Sequence, residues 1–311
     1  MKRFWLLALS ALVLAAGCAK NPVISIPPPP PARLFVADLD NGLVVFTQPI
    51  TASSTPSFTI PGAGTSGVVF DSRGSLFVSN ENTASINIYR SPVSATSTPF
   101  LTIGPVAGAS TLEGMAFDAA GNLYVADELG VQVLEFSPPF TGGAQAPTKV
   151  ITGMPFGPVN VCFDRSGNLI TPSFGSRTVS VFRPPFANGA NVPAASMTMP
   201  LAAGGCGISL QNQFIVGQVD GSVALINPPF ATGVTPSAII APTTINGATA
   251  TEGLNSTFDP SGNLWQTFGG DDGFPGQEGI AEFVPPFTSS SVANLGIFNG
   301  LGFPFSVAFG Q

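Results

Sequence analysis

One unit is repeated six times along this chain, and its spacing admits few architectures. It reads Phe-Asp-x-x-Gly-Asn-Leu, then an aromatic and a Val, then a hairpin, then Pro-Pro-Phe. Copies begin at Phe70-Asp71, Phe117-Asp118, Phe163-Asp164, Ile208-Ser209, Phe258-Asp259 and, incomplete, Phe309-Gly310. The intervals are 47, 46, 45, 50 and 51 residues. A period of that length, filled with short strands and turn residues, defines a β-propeller. The expected fold is all-β, with six four-stranded antiparallel blades forming one domain over residues 33–311. The length of 311 residues alone would have pointed to two domains.

Hydrophobic residues make up 44% of the chain and charged residues 9%, a balance that suits sheets covered on both faces by neighbouring sheets. The 26 Phe residues supply large apolar area for those contacts. A membrane β-barrel would need strands of about ten residues and girdles rich in Tyr and Trp. Two Tyr and two Trp cannot form such girdles.

Each copy reads as four strands. The first ends at the Phe-Asp pair. A tight turn follows, as in Asp118-Ala119-Ala120-Gly121, where Asp bonds the turn backbone and Gly takes the left-handed conformation. The degenerate copy has Asn212 at the Gly position, and Asn tolerates that conformation next best. The repeated Asp residues are thus assigned to structure. The second strand is exemplified by Leu123 to Asp127 and the third by Val133 to Phe136. Pro-Pro-Phe ends the third strand, because proline cannot donate to a ladder. Residues 33–60 supply the last three strands of a blade, so Phe305 to Phe309 must supply its first. That exchange closes the ring and removes an open edge.

The first residues read as an address. Lys2 and Arg3 precede an apolar run from Phe4 to Ala16, too short to cross a bilayer. Ala15-Ala16-Gly17-Cys18 resembles a bacterial lipobox, with Ala15 where Leu is usual. The resemblance implies a signal peptide over 1–17 and acylation of Cys18. Residues 18–32 would be a Pro-rich tether, and the address would be the outer membrane of a diderm host. Removal of Lys2 and Arg3 leaves eight basic against 17 acidic residues, which disfavours nucleic acid as a partner. A monomer is expected. Cys162 and Cys206 fall on innermost strands of adjacent blades. Export permits a disulfide, but buried free thiols are the expected state.

The strand order sorts charges by face. Loops entering the innermost strand, and hairpins between the second and third strands, share the top. They hold Asp38, Asp40, Glu81, Glu113, Asp127, Glu128, Asp220, Glu252, Asp271, Asp272 and Glu278 against one base, Arg177. The opposite turns hold the repeated Asp residues with Arg33, Arg73, Arg90, Arg165 and Arg183. Clustered carboxylates attract cations and raise one another's pKa. The top face, through Glu113, Asp127, Glu128, Glu252, Asp271, Asp272 and Glu278, is the candidate binding surface for a cation such as Ca²⁺, a small cationic ligand or a protein. A solvated rim is the plain alternative.

The segment Gly114 to Asp127 resembles the NHL-repeat propellers and their relatives, the gluconolactonase and senescence-marker-protein family. That family carries a metal-binding Glu before a Gly at the start of an innermost strand. Glu113-Gly114 matches this pattern, and Glu252-Gly253 matches it with two extra residues before Phe258. The resemblance implies a metal at Glu113 and Glu252 and Ca²⁺-dependent lactonase chemistry, with Asp127 or Asp271 as base. The chain departs from the family four positions before each repeat Phe, where the Asn and Asp partners are replaced by Ser66, Val159, Gly204, Leu254 and Phe305. There is no His, which excludes Ser-His-Asp, Cys-His and His-metal chemistry. With no complete catalytic constellation, the first expectation is a binding or scaffold module and the second a lactonase.

Overall fold

The computed structural model describes residues 31–62, 64–245, 247–269 and 278–310. Their secondary structure is built of strands, and Pro31–Gln311 is one compact unit. Blade 1 joins Pro304–Gly310 to Arg33–Asp38, Gly42–Thr47 and Phe58–Ile60. Blades 2 to 6 begin at the innermost strands Thr65–Phe70, Leu112–Phe117, Cys162–Phe163, Ala203–Ile208 and Gly253–Phe258, and each adds the next strands outward in antiparallel order. The innermost strands touch in sequence around the ring, and Pro304–Gly310 lies between those of blades 6 and 2. The six-bladed, strand-exchanged propeller expected from the repeat is the fold.

The repeat acts through three local devices. The first is the turn. Asp118 Oδ1 accepts from the Ala120 and Asn122 amides at 2.9 Å each, and Asp71, Asp164 and Asp259 act alike. In the degenerate copy Ser209 Oγ takes this role toward the Gln211 and Gln213 amides. Asn212 has φ +61°, beside +85° for Gly121 at the same place.

The second device joins blades. The residue after the repeat Leu packs edge-on against the repeat Phe of the next blade, in Phe35–Phe70, Phe77–Phe117, Tyr124–Phe163 and Trp265–Phe309. Such pairs contribute about 0.5–1.5 kcal/mol beyond their buried area. The Phe of Pro-Pro-Phe adds to the same contact: Phe140 meets Phe77 and Phe117, and Phe186 meets Tyr124.

The third device covers edges. The segment after Pro-Pro-Phe crosses to the outer strand of the preceding blade, where Gly189–Ala190 pairs in parallel with Ile151 and Thr152. Gly143 bridges to Ile103 in the same way. This fifth strand was not expected from the repeat. A short hairpin, Thr244–Ile245 with Ala248–Thr249, accounts for part of the longer spacing before Phe258.

The free-thiol expectation is corrected. Cys162 and Cys206 form a disulfide between the innermost strands of blades 4 and 5. The separation of two residues 44 apart in sequence is set by the ring, which a local pattern does not carry. This junction lacks the aromatic pair, having Ile170 and Ile208 in its place within one core cluster with both cysteines.

Candidate functional site

The candidate surface is the top rim of the channel around Glu113, in blade 3. Glu113 lies on the innermost strand Leu112–Phe117 and is 4% exposed. Glycines let the neighbouring strands close around it. A Cβ on Gly67 would lie 2.3 Å from the Glu113 carbonyl, and one on Gly114 would lie 2.4 Å from the Asn160 side chain. The Ser79 hydroxyl donates to the Glu113 carbonyl at 2.7 Å.

The carboxyl itself is less well served. Oε2 of Glu113 is buried and meets no hydrogen-bond donor. Glu128, Glu81 and Asp127 surround it with like charge, and Glu128 lies within hydrogen-bonding reach. Two carboxylates cannot bond each other, so that contact exists only when one of them carries a proton. Burial first, and then the neighbouring acids, push the Glu113 pKa well above the ordinary carboxylate range. Glu128 further raises the pKa of half-buried Glu81, after burial.

This arrangement has a stability consequence. The folded state holds the Glu113 proton to a higher pH than the unfolded chain does. Its contribution is therefore fully present below the ordinary carboxylate pKa and is lost as pH rises through the raised one. Over that window wild-type stability is expected to fall by about 1.4 kcal/mol per pH unit from this one group. Glu113→Gln, which mimics the protonated acid, should unfold at higher temperature than wild type at pH 8 and equally at pH 4. Thermal unfolding from pH 4 to 8 checks this, and a variant with wild-type pH dependence would refute it.

The other sequence-assigned residues fall in different places. Asp127 is buried and uses its carboxylate to hold the loops. Oδ1 accepts from the Ser110, Thr111 and Gly130 amides at 3.1, 2.9 and 3.2 Å, and Oδ2 accepts from Gln132 Nε2 at 2.6 Å. Its effect is to position Glu128 next to it. Glu252 precedes Gly253 of blade 6, three blades around the ring from Glu113, and is not among the acids acting on it. Its backbone has φ +50°, and its amide donates to the Val219 carbonyl at 3.1 Å. Glu278 stands half-buried at the start of the strand Gly279–Phe283. Asp271 and Asp272 lie outside the described residues, as does Cys18. Glu81 was placed on the top face from sequence but was not singled out. Its link to Glu113 passes through hairpins of two blades and leaves no local signal. Among the described residues, no group of three or more Cys, Asp or Glu is arranged to hold a metal ion.

The architecture and its rim define a class: a six-bladed β-propeller with an acidic mouth. No family model matches the chain, and no curated protein matches it in sequence. Solved structures do match in fold. A protein of unknown function from Bacteroides caccae shares 13% identity with a TM-score of 0.67, over 90% of this chain and 99% of that one. The periplasmic gluconolactonase of Pseudomonas aeruginosa shares 15% identity with a TM-score of 0.58, also over 90% and 99%. Virginiamycin B lyase of Staphylococcus aureus shares 11% identity with a TM-score of 0.51, over 78% of this chain and 73% of that one. At these identities the likeness is one of fold, and a propeller hosts many unrelated functions.

Proposed function

We propose that this protein is an exported propeller lipoprotein, tethered through Cys18, that binds a cationic group at its acidic top face. The observation that carries this reading is the Glu113 carboxyl. Its Oε2 is buried without a donor, and Glu128, Glu81 and Asp127 press on it with like charge. A carboxyl in that setting is relieved either by keeping a proton or by meeting a positive charge. A bound cation makes ionisation favourable, so cation uptake and proton release are coupled. Uptake therefore strengthens as pH rises through the raised pKa. The lactonase reading needs several oxygen ligands converging on one metal. Glu113 and Glu252 stand on opposite sides of the ring, so a binding role is preferred. The acidic face has one base, Arg177, and its guanidinium Nε donates to the Met199 carbonyl at 2.9 Å.

The test follows thermal unfolding at pH 6 and pH 8. EDTA-stripped protein would be titrated with Ca²⁺ and, separately, with spermidine, using wild type and Glu113→Gln. The expected result is a saturable rise in Tm with one of the two cations, larger at pH 8 and absent in the variant. If neither cation shifts wild type, the cation-binding reading falls. A Ca²⁺ shift accompanied by lactone hydrolysis would replace it with the lactonase reading.

A further inference from the structure

The acidic rim has an apolar neighbour. Glu128 belongs to the hairpin between Leu123–Asp127 and Gln132–Phe136 of blade 3, and the same hairpin leaves Leu129 73% and Val131 38% exposed. The loop that enters blade 4 lies against it, so closely that a Cβ at Gly157 would strike the Glu128 carbonyl. Phe156, one residue earlier in that loop, is 46% exposed. Two contacting loops thus hold three large apolar side chains in water next to the group of Glu128, Glu81 and Glu113.

Exposed apolar residues scattered singly are ordinary. Two features set this group apart. The first comes from the repeat. In the hairpin of blade 2, Glu81 stands where Glu128 does, and Ala84 takes φ +45° where Val131 takes +52°. Asn82 and Ala84 there hold the places of Leu129 and Val131, so the hairpin forms without large apolar residues. A β-branched residue in the left-handed region is disfavoured by its own backbone, and one left exposed recovers little through burial. Residues kept in such a conformation cluster at ligand clamps and active sites. The second feature is the buried acid. Glu113 is 4% exposed, its Oε2 meets no donor, and Glu128 lies within hydrogen-bonding reach of it. A buried carboxyl in that state calls for a donor brought from outside. A metal ion alone would leave Leu129, Val131 and Phe156 in water. A partner with a cationic head and an apolar body answers both features.

We infer that this corner of the top face, between blades 3 and 4, docks a protein segment in which Lys or Arg is flanked by large apolar residues. The cationic head meets Glu128 and Glu113, and the apolar side chains cover Leu129, Val131 and Phe156. The inference rests on the cation reading above and names its partner as a peptide. Charge complementarity steers the segment to the rim and fixes its orientation, while burial of the three apolar side chains slows its release. An anionic lipid surface is repelled by the same acids.

The probe is the capped peptide Leu-Lys-Phe-Lys-Leu. It is compared with Gly-Lys-Gly-Lys-Gly, which has the charge alone, and Leu-Gln-Phe-Gln-Leu, which has the apolar residues alone. Titration calorimetry would use wild type and Leu129→Ser/Phe156→Ser, whose folding is checked by thermal unfolding. The first peptide is expected to bind about tenfold more tightly than either comparison and to lose about tenfold in the double variant. Gly-Lys-Gly-Lys-Gly should bind both proteins alike. Val131→Gly, freed of backbone strain, should unfold at no lower temperature than wild type yet bind the first peptide less tightly. Equal binding of the two Lys peptides to wild type would overturn the inference while leaving the cation reading intact. Failure of Ca²⁺, spermidine and all three peptides would remove both. Unchanged affinity in the double variant would overturn the assignment to this corner. Adsorption to phosphatidylcholine vesicles through Leu129 and Phe156, without preference among the peptides, would overturn it in favour of a lipid contact.

Discussion

Asp38→Ala should loosen the ring closure, with a loss of about 2–3 kcal/mol. Asp38 sits at the end of Arg33–Asp38, where the first and last segments of the propeller meet, and it is fully buried. Its Oδ1 accepts from the Asp40, Asn41 and Phe303 amides at 3.1, 2.9 and 3.3 Å, and its Oδ2 accepts from the Gly302 amide at 2.8 Å. One carboxylate thus ties the hairpin of blade 1 to the chain that enters the closing strand Pro304–Gly310. Burial pushes the Asp38 pKa up, and these amides pull it back. Removing the side chain leaves the half-buried Gly302 and Phe303 amides, and the exposed Asp40 and Asn41 amides, without their shared acceptor at the one junction where no covalent connection crosses between strands of a blade. Asp38→Asn keeps an acceptor and should lose less, about 1–2 kcal/mol. Urea unfolding gives the stability change, and amide exchange over residues 304–310 should accelerate selectively. Uniform exchange, with the closing strand no faster than the others, would count against a clasp.

The disulfide carries the second large effect. Joining residues 44 apart removes chain entropy from the unfolded state, about 4 kcal/mol for a loop of this size. The double variant Cys162→Ala/Cys206→Ala should therefore lose about 4 kcal/mol against oxidised wild type in urea unfolding. Wild type unfolded with excess dithiothreitol should lose a similar amount. A loss below 1 kcal/mol in both would show that the bridge constrains little. The location gives the bond a further consequence. The junctions of blades 1–2, 2–3, 3–4 and 6–1 have edge-on aromatic pairs, whereas that of blades 4 and 5 has Ile170 and Ile208. Blades 5 and 6 lack the pair as well, with Ile215 beside Phe258, and the covalent link stands at the junction where neither residue is aromatic and the repeat degenerates to Ile208-Ser209. Amide exchange in the double variant should thus rise most in Cys162–Phe163 and Ala203–Ile208.

The same comparison separates what was legible in the chain from what was not. The turn of each blade is local chemistry. Asp118 bonds amides two and four residues on, and Gly121 or Asn212 takes the left-handed backbone, so a seven-residue pattern reports them fully. Counting six copies, with the last incomplete, was enough to place the closing strand at the C-terminus. The sorting of acids onto one face followed from strand alternation. Other features had no local signature. The fifth strand on blade 3 depends on where the Gly189 segment lands on a neighbouring sheet. The Cys162–Cys206 bond depends on two strands being brought side by side.

The sequence by itself therefore determined the repeat, the strand order, the exchanged closure and the sign of each face, because each follows from contacts within about ten residues or from the period. Only the tertiary structure decided which acids meet and which buried polar groups are left without a partner. It set Glu81 and Glu128 against Glu113 and put Glu252 three blades away. It left the buried Asn160 Nδ2 without a partner. The physical reason is range. A turn is stabilised by its own residues, but the electrostatic state of a buried carboxyl or amide is set by whatever the ring packs around it, and those neighbours come from different blades.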